Sequence, residues 1–259
     1  TNTSTNTNTH PEMPTYTYNL SVGEGTGSLT YEVNNGKVTI VDNNVNSTHL
    51  VLPGSIEHEG NLLPVVALDE DVFNPVANLT DVDLSNCTAL RLIGKGAFSN
   101  CGSLASVNFS GCTALQTIGR RAFFNCGSLT SVDLSGCTAL ETIDEYAFHE
   151  CALATPIQIP SSVVTIGSDA FFNALAENTV LSKDNVQFVG SSELSLESVG
   201  VYAFDGILPT SDDGNAYYNN SSWESPLAMP TWVEYFFDNV VPSSSGTGSG
   251  DPYICAIFG

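Results

Sequence analysis

Positive charge is scarce in this sequence of 259 residues, which has six Lys and Arg against 28 Asp and Glu and a formal net charge of −22. Phosphate backbones and anionic lipid surfaces are bound by clustered cations, so nucleic acid and anionic membranes are not expected as partners. No apolar run approaches the ~20 residues that cross a bilayer, and membrane insertion is not expected either. The acidity is interpreted as a solvated surface.

Residue patterns typical of catalysis and metal binding are also missing. None of the four histidines has a partner at metal-ligand spacing, and His149 is expected to face solvent at a corner of the chain. No Gly-x-Ser-x-Gly motif occurs, and carboxylate clusters such as residues 69–71 match no calcium loop. We therefore predict no catalytic residue, no metal site and no cofactor. A hydrolase acting on glycans is disfavoured because no acid pair is placed for it.

What the sequence does contain is a repeat. Near copies begin at Leu79, Leu104 and Leu129, and each opens with alternating apolar residues, which indicate a short strand with one buried face. A unit of this length cannot bury its own apolar face, so the copies must stack into a solenoid. A Phe recurs five residues after an Ile, Leu or Val, and it predicts about six coils whose centres hold Phe73, Phe98, Phe123, Phe148, Phe171 and Phe204.

The repeat resembles the BspA-like leucine-rich-repeat family. Residues 93–101 and 118–126 both read Ile-Gly-x-x-Ala-Phe-x-x-Cys, and residues 157–167 are similar to another form of that family's repeat. The resemblance covers roughly residues 28–205. It implies a β-rich, right-handed solenoid with a parallel sheet and an N-terminal β cap, in a family of mostly surface proteins that bind proteins or matrix without catalysis.

The predicted organisation has five parts, because a solenoid exposes apolar surface at both ends unless it is capped. Residues 16–51 alternate as strands with a hairpin turn at Asn34-Asn35-Gly36, and a short helix near Trp232 is expected to cover the last coil. The aromatic cluster around that helix could alternatively be a carbohydrate platform. The parts are a disordered Thr/Asn-rich tail or linker over 1–15, a β cap over 16–52, the solenoid over 53–206, a C-terminal cap over 207–242, and a Ser/Gly linker and tail over 243–259.

Six of the seven cysteines alternate in spacing along the repeat, and the seventh, Cys255, lies in the tail. Their spacing matches no zinc motif. Free thiols acting as small buried hydrophobes are the favoured interpretation, and disulfides within a coil stay open as the alternative. The six are Cys87, Cys101, Cys112, Cys126, Cys137 and Cys151.

The candidate site is the outward face of the first strand of each coil. Its side chains are short, polar and partly acidic, so they offer hydrogen bonds to a protein or glycan, although polar residues must face water somewhere. One predicted row is Asp83, Asn108, Asp133 and Gln158, and its neighbour is Asp81, Ser106, Ser131 and Thr155.

Eight Asn-x-Ser/Thr triplets and the polar tail favour an extracellular or cell-surface location. We predict a non-enzymatic binding or adhesion module that recognises a protein, matrix or glycan partner through the polar sheet face. The alternative is a self-assembling structural subunit of a surface layer or filament, whose terminal strands pair with neighbours. The candidate glycosylation sites are Asn2, Asn19, Asn46, Asn78, Asn86, Asn108, Asn219 and Asn220, and a glycan on Asn108 would block the polar face.

Overall fold

The chain forms a β-solenoid in a computed structural model that describes residues 13–21, 23–153, 157–174, 186–190, 198–199 and 203. These residues contain sixteen strands and no helix. The first six strands are β1 Thr15–Asn19, β2 Ser28–Asn34, β3 Lys37–Asn43, β4 His49–Val51, β5 Ser55–His58 and β6 Asn61–Leu68. The coils contribute β7 Asp81–Asp83, β8 Leu92–Ile93, β9 Ser106–Asn108, β10 Thr117–Ile118, β11 Ser131–Val132, β12 Thr142–Ile143, β13 Ile157–Pro160, β14 Thr165–Ile166, β15 Val186–Val189 and β16 Ser198–Val199.

Each coil places one strand in each of two stacks. The larger sheet runs β1-β2-β3-β6-β8-β10-β12-β14-β16, with β5 pairing β6 as a hairpin. The smaller sheet runs β4-β7-β9-β11, and a bridge from Asp133 to Gln158 continues it to β13 and β15. Pairing between coils is parallel and in register, as where Thr117 aligns with both Thr142 and Leu92. Equivalent residues of successive repeats are therefore neighbours in space.

A column of phenylalanine rings fills the centre of the solenoid, as the repeat predicted. Phe98, Phe123 and Phe148 are fully buried, and neighbouring rings lie 5.2 Å apart and within 4° of parallel. Phe73 and Phe171 extend the column at its two ends, and Phe204 lies outside the described residues. Phe123 also donates its backbone N–H to the carbonyl of Ala147 in the next coil at 2.8 Å. Ring and backbone together fix the spacing of the coils.

The backbone around each central Phe forms a corner, which we call the Phe corner: residues 71–75, 96–100, 121–125, 146–150 and 169–173. The residue two before each Phe has a left-handed conformation, with φ between 54° and 63°. Glycine takes this position only once, and the others carry side chains that point away from the core. These positions are Asp71, Gly96, Arg121, Tyr146 and Asp169.

The N-terminal strands close one end of the solenoid, as expected. Strands β2 and β3 are joined by the two residues Asn35 and Gly36 with φ of 50° and 69°, which is the geometry of a two-residue hairpin. The first strand begins at Thr15, one residue before the predicted start of the cap. The predicted helical cap over 207–242, the tail over 243–259 and the first twelve residues lie outside the described part of the chain.

The six described cysteines are buried free thiols, in agreement with the favoured interpretation. In one of the two cysteine rows, each sulfur donates to the carbonyl of the central Phe of the preceding coil. The Sγ–O distances are 3.2 Å from Cys101 to Phe73, 3.1 Å from Cys126 to Phe98 and 3.2 Å from Cys151 to Phe123. These thiols therefore link neighbouring coils without a covalent bond.

Burial makes the thiols poor nucleophiles. It raises the pKa of Cys112 and that of Cys137 to about 12, so both stay protonated at neutral pH. We expect Ellman's reagent at pH 8 to leave all six thiols unmodified in the native protein and to modify all six in denaturant. Peptide mass spectrometry after alkylation reads each site, and rapid native modification of any of the six would contradict this burial.

Candidate functional site

The structure brings the first predicted row together on the smaller sheet. Asp83 aligns with Asn108, and Asp133 aligns with Gln158. The row continues to Gln187 on β15, a residue that sequence reasoning missed. The sequence signal that could have identified Gln187 is the apolar-Gln-apolar pattern shared by residues 157–159 and 186–188. The irregular spacing of the later coils hid it. We call the outward side chains of the smaller sheet the polar face.

The second predicted row is also aligned as far as the structure describes it. Asp81 lies beside Ser106, and Ser106 lies beside Ser131. Thr155 lies outside the described residues. The hydroxyls of Ser106 and Thr80 each donate to a different oxygen of Asp81 at 2.7 Å, and these bonds hold the pKa of Asp81 below its usual value. Asp81 is therefore ionised and held in place on the face at neutral pH.

Three side chains of the first row have a second, local role. The carboxylate or amide oxygen of Asp83, Asn108 and Asp133 accepts the backbone N–H two residues later, at 2.8, 3.1 and 2.9 Å. Such Asx turns end the strand and begin the bend that follows it. Asn108 also donates its Nδ2 to Asp83 at 3.0 Å. These three side chains are thus held in place by bonds within the chain, and part of their polarity serves the fold.

The polar face offers a regular array of hydrogen-bonding groups. Strands in a sheet are about 4.8 Å apart, so each row repeats a polar side chain at that interval. The exposed members are Asn108, Ser131 and Asp133, and the remaining described members are half-buried. Carboxylates dominate its charge, which suits a partner that presents donors or cations.

Five of the predicted glycosylation sites fall within the described residues, and all five side chains are exposed: Asn19, Asn46, Asn78, Asn86 and Asn108. Of these, Asn108 lies on the polar face with its Nδ2 already donating to Asp83. Asn2, Asn219 and Asn220 lie outside the described residues.

A second surface feature was not predicted from the sequence. The rings of Phe124, His149 and Phe172, which follow the central Phe of three successive coils, stack outside the core with centroids 5.1 and 4.9 Å apart. Arg121 lies 5.3 Å from the ring centroids of both Phe124 and Tyr146. We call these five residues the aromatic ridge. The expectation that His149 faces solvent is wrong, because its half-buried ring lies between two Phe rings.

The ring of His149 is held neutral by its surroundings. Its Nδ1 is buried and has no hydrogen-bond partner among the described residues. Burial lowers the pKa of His149, and the Arg121 charge acts in the same direction, while Glu150 and Asp169 oppose them. The ridge therefore presents an uncharged ring stack beside a guanidinium group.

The described residues include no helix long and apolar enough to span a membrane.

Stacked coils with two parallel strands and a central Phe define a leucine-rich-repeat solenoid. Residues 66–195 match the model of the BspA type leucine rich repeat region in six copies. The chain belongs to this BspA-type leucine-rich-repeat family, which confirms the resemblance found in the sequence. No curated protein matches the chain.

Three solved structures are similar to this chain. A leucine rich cell surface protein of Faecalibacterium prausnitzii A2-165 is 23% identical with a TM-score of 0.56, over 77% of this chain and 54% of that one. A leucine-rich repeat protein of Bacteroides ovatus is 21% identical with a TM-score of 0.49, over 74% of this chain and 54% of that one. A leucine rich repeat protein of T. pallidum is 23% identical with a TM-score of 0.44, over 70% of this chain and 88% of that one. The chain spans about half the length of the first two proteins.

Proposed function

We propose that this chain is a non-enzymatic binding module that works outside the cell or at its surface, and that it recognises a protein or matrix partner through the polar face. The observation that carries the proposal is the row from Asp83 to Gln187, in which polar side chains from successive coils stand side by side in register. The description of the similar Faecalibacterium prausnitzii structure as a cell surface protein supports the location.

The chemistry of the face suggests what the partner carries. Asp81, Asp83 and Asp133 place three carboxylates among hydroxyl and amide groups. Lys, Arg and backbone N–H groups are the complementary donors, and the chain's net charge of −22 draws basic partners towards it. We therefore expect binding that weakens as salt is raised, since exposed charges are screened within about 8 Å at physiological ionic strength.

The test uses large cationic side chains that block the face and leave the turn-forming residues intact. The double variant Ser106→Arg/Ser131→Arg is compared with wild type on an array of purified matrix proteins, serum proteins and glycans. We expect at least a roughly tenfold loss of affinity for any captured partner, because the new groups remove contacts and reverse the local charge.

The matched control is Thr117→Arg/Thr142→Arg, which places the same two side chains in the same two coils on the larger sheet. Binding by this control should equal that of wild type. If both double variants lose binding equally, or only the control loses it, the polar face is not the binding surface.

A self-assembling structural subunit is the second candidate, and one observation favours it. All five residues of β1 pair with β2, and the other edge of β1 pairs with no strand among the described residues. An open edge can accept a strand from a neighbouring copy. Light scattering against concentration, with and without residues 1–22, tests this: polymers that vanish on deletion support it, and polymers that persist exclude this edge.

A further inference from the structure

The outward side of the Phe corner changes its chemistry along the solenoid. The residue that follows the central Phe is Asn74 in one coil and Ser99 in the next, and it is then aromatic in three successive coils. The coils that carry Asn74 and Ser99 stack on the same column of Phe rings, so the stacking does not require an aromatic residue at this position. Large rings placed side by side on the surface of a repeat are typical of an interaction surface.

The ridge presents the edges of its rings. The planes of Phe124 and His149 lie within 21° of parallel, and those of His149 and Phe172 within 12°, so the faces are turned towards each other. Sugars stack on ring faces, and both faces of His149 and one face each of Phe124 and Phe172 are taken up within the stack. Ring edges are the positive part of the aromatic quadrupole, and they pack best against other ring faces or against oxygens.

The charges of the corner single out one arginine. Lys95 is paired with Glu70, and Arg120 is paired with Glu145, each at 3.3 Å. Arg121 has no ion pair among the described residues and is fixed over the rings of Phe124 and Tyr146. A guanidinium held by stacking is ordered in advance for a carboxylate, which it binds through two parallel N–H groups.

A carboxylate suited to that arginine lies on the ridge of another copy. Glu150 is exposed and follows His149 directly, one coil along from Arg121. Two ridges that meet about a two-fold axis place Arg121 of each copy against Glu150 of the other, so one surface carries both halves of the contact. With 28 acidic and six basic residues, the chain has few other cations that could attract a second copy.

We propose that the aromatic ridge is a self-association surface, on which a second copy of this chain docks two-fold with reciprocal Arg121–Glu150 ion pairs and with the ring edges of each copy against carboxylate oxygens of the other. Stable interfaces bury about 1,600 Å² in total, and a ridge of three coils offers less, so the dimer is weak, with a Kd on the order of 10–100 μM. The aromatic ridge shares no residue with the polar face.

Reversing the charges tests the proposal with the full chain. Arg121→Glu and Glu150→Arg are each expected to weaken self-association at least roughly tenfold, because each sets two like charges against each other twice in the dimer. An equal mixture of the two variants restores both ion pairs and should dimerise as wild type does. Sedimentation velocity from low micromolar to millimolar protein measures all four samples.

Two controls test whether self-association depends on the net charge of the chain, or on the terminal strand β1, instead of on the aromatic ridge. Arg91→Glu makes the same charge change at an exposed site just before β8, and it should leave the dimer unchanged. Deletion of residues 1–22 should also leave it unchanged, whereas assembly through β1 would be lost. Circular dichroism checks that every variant is folded.

The outcomes decide the proposal. Restoration in the mixture, with an unaffected Arg91→Glu protein, supports it. A wild type that stays monomeric at millimolar concentration, or a mixture that stays monomeric, overturns it. Phe124→Ser, which copies Ser99 of the preceding coil, adds a test without charge and should also give a monomer. A Phe124→Ser protein that dimerises like wild type overturns the role of the rings.

Discussion

The Phe123→Ala variant is expected to unfold with a free energy about 3–5 kcal/mol lower than wild type, which is the usual cost of removing a large buried ring. Phe123 is fully buried, with a ring 5.2 Å from each neighbour in the column and a third ring, Phe109, at 6.0 Å. A cavity there opens in the middle of the column, where the coils on both sides are held by their own backbone bonds and cannot collapse into it. Urea denaturation followed by circular dichroism measures the change.

The control for this prediction is the next residue. Phe124→Ala removes the same ring from the half-exposed ridge, where water fills the space, and we expect a loss of less than about 1.5 kcal/mol. Equal losses for the two variants would mean that the inner column contributes no more than a surface ring, and the central role given to it would be wrong.

Gly111→Ala is expected to cost about 3 kcal/mol, the upper end of the range for overpacking. A Cβ on Gly111 would overlap the carbonyl oxygen of Ser85 in the preceding coil. That oxygen belongs to the backbone, so relief requires the two coils to move apart and strains the bonds between them. A fall in the thermal midpoint and in the urea midpoint would report it.

The same position one coil later provides the control. A Cβ on Gly136 has the carbonyl oxygen of Ser110 as its nearest contact at 3.3 Å, which a small shift accommodates. Gly136→Ala should therefore change the free energy of unfolding by less than about 1 kcal/mol in either direction. Similar large losses at both glycines would point to the loss of glycine itself and not to the close approach of the backbone at Gly111.

The sequence predicted those parts of the fold that depend on the repeat length. One coil contains 25 residues, which is the constant step between Phe73, Phe98, Phe123 and Phe148. Residues at the same position of successive repeats therefore become neighbours in space, as these rings do. The same step of 25 residues separates Asp83 from Asn108 and Ser106 from Ser131, which also lie side by side. In a solenoid, the alignment of residues between coils follows from the repeat length in the sequence.

What the sequence did not predict depends on side chains of neighbouring coils acting on each other. His149 was assigned to solvent because it was considered within its own coil, but its environment is made by Phe124 and Phe172, 25 and 23 residues away. The turn-forming bonds of Asp83 and Asp133 were missed because an acidic residue on an outward position has the same pattern whether or not it bonds locally. Gln187 was missed because the later coils lose the regular step.

The left-handed positions of the Phe corner have a consequence for how such a protein can grow. Arg121, Tyr146 and Gly96 all take that conformation, so the backbone of the corner keeps the same path with different residue types at this position. Duplication of one 25-residue unit would then lengthen the solenoid by about 4.8 Å. It would add one residue position to each row of the polar face and to the aromatic ridge, and the residue type at each new position could differ. The length of the solenoid and the residue types on its surface can therefore vary independently.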